Sequence, residues 1–196
     1  MNQKFNQIKF EEMPVIGILR NFSTETIERI IPLYLKAGFT TIEVTMNSLN
    51  AGENISKLSL EYPDLNVGAG TVCNLADLQK AIDAGASFIV TPVINKEVID
   101  FCVNKNIPIF PGSFTPTEIY ASMQFGATAV KVFPATTLGP NYIKDVLAPL
   151  NDAKLIPTGG VSKDNIPDFF KAGAIAVGMG GSLFKKEYIN SNNYEK

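Results

Sequence analysis

The sequence predicts a single-domain α/β protein folded as a (β/α)8 barrel of the TIM type, and three observations carry that prediction. A helix end stopped by glycine and followed at once by an apolar strand returns four times, at Lys36-Ala37-Gly38, Asp83-Ala84-Gly85, Phe125-Gly126 and Lys171-Ala172-Gly173. The glycines recur at intervals of 41 to 47 residues, and another strand candidate lies inside each interval, at residues 65–70, 107–112 and 154–160. With residues 15–20 this gives eight strand candidates, each followed by a helix-sized segment. Strict alternation of this kind implies a parallel sheet, and eight βα units favour closure over an open doubly wound sheet.

Residues 1–13 open the chain with Phe5, Ile8 and Met13 at near-helical spacing, a short amphipathic helix suited to capping something apolar. Residues 14–188 are the barrel. Its first strand, residues 15–20, ends in Arg20. Ser23 or Thr24 caps the helix that follows, and Ile27, Ile30, Ile31, Tyr34 and Leu35 make its apolar stripe, with Pro32 expected to kink it. Thr115-Pro116-Thr117-Glu118 is a capping box with proline at the first helical position, and Gly139-Pro140 opens another helix. Residues 189–196 form a polar tail expected to fray.

At 196 residues with 45% hydrophobic and 18% charged side chains, the chain has the composition of an ordinary globular domain. A net charge of -2 with scattered Lys and Arg leaves no basic stripe for nucleic acid. No apolar run reaches the ~18–20 residues of a membrane span, and residues 1–10 are too polar for a signal peptide, so the expected place is the cytoplasm. Cys73 and Cys102 are isolated, and two buried thiols in a reducing compartment are expected. The chain has no histidine, which removes His-dependent triads and the commonest metal ligand. No metal and no cofactor are expected.

One charge interrupts the sixth strand candidate, Thr128-Ala129-Val130-Lys131-Val132-Phe133-Pro134. Burial disfavours the ammonium form and makes a lysine nucleophilic near neutral pH. The competing explanation is a strand-end lysine that snorkels to water or pairs with a carboxylate. In barrels of this class the site lies at the C-terminal strand ends. Those ends collect Arg20, Glu43 and Thr45, Thr71, Lys131, Thr158 with Gly159 and Gly160, and Gly180, Gly181 and Ser182. Alternation places Glu43 and Lys131 on the interior face if Val44, Val130 and Val132 face the helices. The glycine pairs after strands seven and eight fit the usual phosphate loops of such barrels. An amine facing a carboxyl below a phosphate site suggests Schiff-base chemistry on a phosphorylated ketone, with Glu43 moving protons and Arg20 and Thr71 holding a carboxylate. A sugar-phosphate isomerase or epimerase on the same barrel, with Glu43 as base, is the alternative from another class.

Motifs along nearly the whole chain resemble the class I aldolases that cleave 2-dehydro-3-deoxy-6-phosphogluconate (KDPG) and often 4-hydroxy-2-oxoglutarate (KHG). They are Pro14 to Arg20, Ile42-Glu43-Val44-Thr45, Val67 to Val72, Val90-Thr91-Pro92, Pro111-Gly112, Lys131-Val132-Phe133-Pro134-Ala135, Pro157 to Val161 and Gly178 to Ser182. The resemblance implies Lys131 as Schiff-base lysine, Glu43 as acid/base and Arg20 with Thr71 at the pyruvate carboxylate. It further implies Pro92 and Phe133 lining the pocket, and Gly159, Gly160, Gly180, Gly181 and Ser182 at the phosphate. It implies pyruvate and a phosphorylated keto-deoxy sugar acid as ligands, and a homotrimer. The chain departs from many family members at Asn47, where they carry arginine. Asn47-Ser48 is similar to the phosphogalactonate aldolases, whereas Thr158 is similar to the gluconate enzymes, and the gluconate epimer is the expected substrate.

Overall fold

The computed structural model describes residues 4–191, 193 and 194. Nine strand segments alternate with helices in the expected βα order. They are β1 (Val15–Leu19), β2 (Thr41–Thr45), β3 (Asn66–Gly70), β4 (Ile89–Val90), β5 (Ile109–Phe110), β6 (Gly112–Ser113), β7 (Val130–Val132), β8 (Leu155–Pro157) and β9 (Val177–Met179). β5 and β6 are the single fifth strand of the sequence reading. Pro111 lacks a ladder donor and divides it.

All pairings are parallel. One sheet runs β5-β4-β3-β2-β1-β9 and the other β6-β7-β8. The two arcs meet at Pro111, whose carbonyl accepts from Lys131 N at 2.9 Å, and at a bridge between Thr158 and Gly178. The barrel is therefore built as two ladders stitched at two seams rather than as one continuous ladder.

Helices follow each strand: α2 (Thr24–Lys36), α3 (Ala51–Glu61), α4 (Leu75–Asp83), α5 (Lys96–Asn104), α6 (Pro116–Gln124), α7 (Ala135–Leu147), α8 (Ile166–Lys171) and α9 (Lys186–Asn190). Ser23 caps α2 and Thr115 closes the capping box of α6, both as expected. Pro32 does not interrupt α2, which runs through it. Gly139, at φ 68 and ψ 177, breaks α7 so that Pro140 starts its second segment. Helix α9 continues to Asn190, so the tail begins later than residue 189; Asn192, Glu195 and Lys196 lie outside the described residues.

The N-terminal helix α1 (Gln7–Glu12) begins at Asn6 and is held by reciprocal bonds between Asn6 and Asn66. Its packing differs from the expectation. Ile8 is exposed, and Phe10 makes the contact, joining Phe5, Phe88 and Phe110 in an aromatic cluster. That cluster, with Ile16, Ala129, Ile156 and Ala176, fills the barrel interior. Bulk this close to the axis needs space, and Gly68 supplies it: a Cβ there would lie within 2.6 Å of three atoms of the Phe88 ring.

The strand parity is as the alternation predicts. Ile42 and Val44 pack outward under α2 and α3, Val130 and Val132 pack outward in the cluster that holds Ile143 and Val146 of α7, and Ala129 faces in. Two thiols were expected to be buried, but only Cys102 is. Cys73 stands exposed in the loop after β3, while burial pushes the Cys102 thiol up to about 12.

Candidate active site

Glu43 and Lys131 are the site's foundation. Each is held mid-strand by parallel partners on both sides, Glu43 between Ile18 and Gly68, and Lys131 between Gly112 and Ile156. Relative exposure is 1% for Glu43 and 3% for Lys131. The snorkelling explanation for Lys131 therefore fails. A lysine this enclosed has left bulk water, and its Nζ lies 4.9 Å from the centre of the Phe133 ring.

Burial moves both groups toward neutrality. It holds the Lys131 amine below its ordinary value, with Glu43 opposing and the Arg20 charge adding to the fall. It raises the Glu43 carboxyl, while Lys131 and Arg20 pull it partly back. Glu43 Oε1 has no hydrogen-bond partner among the described residues despite full burial. Buried carboxylate oxygens are seldom left so, and an unpaired acceptor near an amine whose charge burial disfavours is poised to take or give a proton.

A cavity of about 520 Å³ opens above the amine. Lys131, Phe133, Arg20, Thr158, the glycines at 159, 160, 180 and 181, and Ser182 all reach its wall. Glu43, Thr71 and Pro92 do not. Thr71 is tied to the wall through Arg20, whose Nη2 donates to Thr71 Oγ1 at 3.3 Å. Thr71 holds a left-handed φ of 59 and Asn21 one of 58, conformations unusual for residues other than glycine. Pro134, next to Phe133 in the chain, is exposed.

The loop after β8 turns through Gly159 at φ 90 and Gly160 at φ 72, conformations that favour glycine. Among the described residues, no loop hydrogen bond takes the backbone N–H of Gly160, Gly181 or Ser182. Ser182 Oγ donates to the Val161 carbonyl at 2.5 Å, clasping the loops after β8 and β9 together. Amides without a loop partner, on two clasped loops that line one cavity, are the kind of donors an anion cradle uses. Thr158 Oγ1 bonds Ile156 O at 3.3 Å, and Gly178 leaves room for that hydroxyl.

Sequence reasoning missed Asn21, Phe22, Phe184 and Lys186, which also line the cavity. Only Lys186 carried a signal, as a cation four residues beyond Ser182. Ser48, read from the sequence only as part of the Asn47-Ser48 pair, also bears on the site. Its Oγ meets Thr45 Oγ1 and accepts from Asn21 N, both at 2.9 Å, and so fixes the turn after Arg20. Among the described residues no group of three His, Cys, Asp or Glu side chains could hold a metal ion, and no helix is long and apolar enough to cross a membrane.

An eightfold βα barrel with an enclosed amine at a strand end, a carboxyl beside it and an anion cradle above defines the Schiff-base class of carbon–carbon lyases. The family model for KDPG and KHG aldolase matches residues 7–196, and the chain belongs to that family. It is 35% identical to a probable 2-dehydro-3-deoxy-6-phosphogalactonate aldolase of Rhizobium meliloti over 89% of this chain and 83% of that one. It is 33% identical to a 2-dehydro-3-deoxy-phosphogluconate aldolase of Haemophilus influenzae over 96% and 89%. The KDPG aldolase of Legionella pneumophila, solved with pyruvate captured as a covalent carbinolamine, superimposes with a TM-score of 0.87 at 25% identity, covering 95% of this chain and 91% of that one.

Proposed function

We propose that the protein is a cytoplasmic class I aldolase that reversibly cleaves 2-dehydro-3-deoxy-6-phosphogluconate to pyruvate and glyceraldehyde 3-phosphate. The observation that carries this reading is the enclosed, neutral-leaning amine of Lys131 with the unpartnered Glu43 oxygen beside it. Lys131 Nζ attacks the C2 ketone, and loss of water from the carbinolamine gives an iminium. Glu43 takes the proton of the C4 hydroxyl, the C3–C4 bond breaks, and its electron pair enters the iminium as an enamine while the C4 carbonyl forms. Protonation of C3 by the now neutral Glu43 and hydrolysis release pyruvate and free the amine. Arg20, aligned by Thr71, faces the substrate carboxylate, and Pro92 and Phe133 bound the pyruvate half. Gly159, Gly160, Gly180, Gly181 and Ser182 receive the phosphate.

4-Hydroxy-2-oxoglutarate, split to pyruvate and glyoxylate, fits the same chemistry. The galactonate epimer is the second reading, favoured by the Rhizobium relative and by the Asn47-Ser48 turn. Thr158, which lines the cavity, supports the gluconate epimer. Val93 and Phe114, exposed apolar residues beyond adjacent strands at the C-terminal rim, support self-association, and we propose a homotrimer. Light scattering of the purified protein tests that assembly.

Borohydride added with pyruvate should leave one reduced adduct, placed on Lys131 by peptide mass spectrometry. Glu43→Gln should still form it while turnover falls about 10²–10⁴-fold. No adduct on Lys131, or full turnover in Lys131→Met, would sink the reading.

A further inference from the structure

The cavity wall carries three basic side chains, Arg20, Lys131 and Lys186, and no carboxylate. Two of the three are already engaged at the pyruvate end. Arg20 reaches across to Thr71 beyond β3, which is away from β9 in the strand order β3-β2-β1-β9. Lys131 is buried next to Phe133. Lys186 enters the same cavity with Gly160, Gly181 and Ser182, on the side of the two clasped loops. It forms no salt bridge among the described residues, although the chain pairs six other Lys and Arg contacts with carboxylates.

Its neighbour makes the orientation informative. Lys185 turns the other way, lies 5.2 Å from the centre of the Tyr188 ring and lines a separate apolar cavity between α2 and α9. Two adjacent lysines of equal reach thus part at the end of one loop, and only Lys186 lines the cavity that holds Lys131.

We propose that Lys186 is the cationic contact for the substrate's phosphate and sets the preference for a phosphorylated over an unphosphorylated sugar acid. This rests on the aldolase reading above. The backbone amides of the two loops are neutral donors that fix position and direction. A phosphate monoester carries about −1.5 to −2 charges at pH 7, and withdrawing it partly from water leaves charge that amides alone do not offset. A lysine supplies a point charge on a flexible stem that follows the phosphate at an open rim. Because the phosphate takes no part in the bond-breaking step, the contribution of Lys186 falls on binding rather than on the chemical step.

Initial rates of pyruvate release test this with 2-dehydro-3-deoxy-6-phosphogluconate and its unphosphorylated counterpart. Lys186→Gln should raise KM for the phosphorylated substrate about 3- to 10-fold with kcat within about twofold, and leave KM for the unphosphorylated one unchanged. Lys186→Glu should raise it further, Lys186→Arg should restore most of the affinity, and Lys185→Gln should change neither value. Equal KM in wild type and Lys186→Gln, or equal losses on both substrates, overturns the assignment. Thermal-shift titration with inorganic phosphate separates this from the reaction itself. Weaker stabilisation of Lys186→Gln than of wild type supports the phosphate contact even if no pyruvate is released, a result that would remove the aldolase reading alone. Identical titrations overturn the contact.

Discussion

Glu43 occupies the space that a side chain on Gly70 would need: a methyl group there would overlap Oε1 and come within 2.6 Å of the carboxyl carbon. Gly70 has no left-handed backbone to explain its identity, so the clash is the whole of its constraint. Gly70 faces Thr45 across the β2–β3 ladder, one pleat above Glu43, and so forms the floor on which the carboxyl rests. Gly70→Ala should therefore shift the carboxyl by a fraction of an ångström to an ångström. A misplacement of that size costs about 10²-fold in kcat. The fold and the pyruvate adduct on Lys131 should survive, as read by circular dichroism and borohydride trapping. An unchanged kcat would show that Glu43 has room to move without consequence.

The charges around Lys131 predict two pH shifts of opposite sign. Schiff-base formation needs the neutral amine, so reactivity falls as pH falls through the Lys131 value, which burial has already lowered. Arg20 disfavours the ammonium form, so Arg20→Gln should move this acid limb to higher pH. Glu43 favours it, so Glu43→Gln should move the limb lower. The rate at which an amine reagent labels Lys131, followed by mass spectrometry across pH, measures the limb without requiring turnover. Shifts in the same direction for both variants would contradict the arrangement.

Much of this site was legible in the sequence because strand parity and the strand-end rule are set by local chemistry. The apolar neighbours of Lys131 and Glu43 fixed which way both side chains point, and the outward packing of Val44, Val130 and Val132 agrees. What stayed hidden depends on contacts between distant residues. Ile8 was read as apolar packing from its spacing, yet Phe10 wins the place because Phe88 and Phe110 offer a ring-sized partner. Pro32 breaks no helix because α2 is held along its length by Ile27, Ile30, Ile31 and Tyr34, whose burial outweighs one lost hydrogen bond. The direction of Lys186 is likewise tertiary, and no periodicity encodes it; the division of β5 from β6 is local instead, set by Pro111.

Thr158 predicts the choice between epimers. Its Oγ1 donates to the carbonyl two residues back, which fixes the rotamer of a residue that lines the cavity. Thr158→Val keeps the shape and removes that polar contact. A site built to hydrogen-bond a hydroxyl loses discrimination when the partner goes, so the ratio of kcat/KM for the gluconate over the galactonate epimer should fall at least about 10-fold. Parallel pyruvate-release assays on the two epimers measure it. A wild type that prefers the galactonate epimer would assign discrimination elsewhere, with the Asn47-Ser48 turn the first place to look.

Holding Lys131 and Glu43 in the barrel should cost stability, and the sign follows from their shifts. Lys131 titrates lower in the folded chain than in the unfolded one, so its stabilising contribution exists only above the unfolded value, about 10.4, and is lost as pH falls through the folded one. Glu43 titrates higher when folded, so its contribution is present below about 4.3 and lost as pH rises through its folded value. Near neutral pH both contributions are absent or reduced, and the pair's mutual attraction is set against two desolvated groups and one unpartnered oxygen. Replacing both with apolar residues of similar size, Lys131→Met with Glu43→Leu, should abolish activity and stabilise the fold by about 1–4 kcal/mol. For a chain of this length that raises Tm by at least about 2 °C and flattens its pH dependence. Either single replacement should gain less, because it leaves the other group buried without its partner. Calorimetry at pH 5, 7 and 9 decides the matter, and a double variant less stable than wild type would mean that the pair holds the barrel together rather than being held by it.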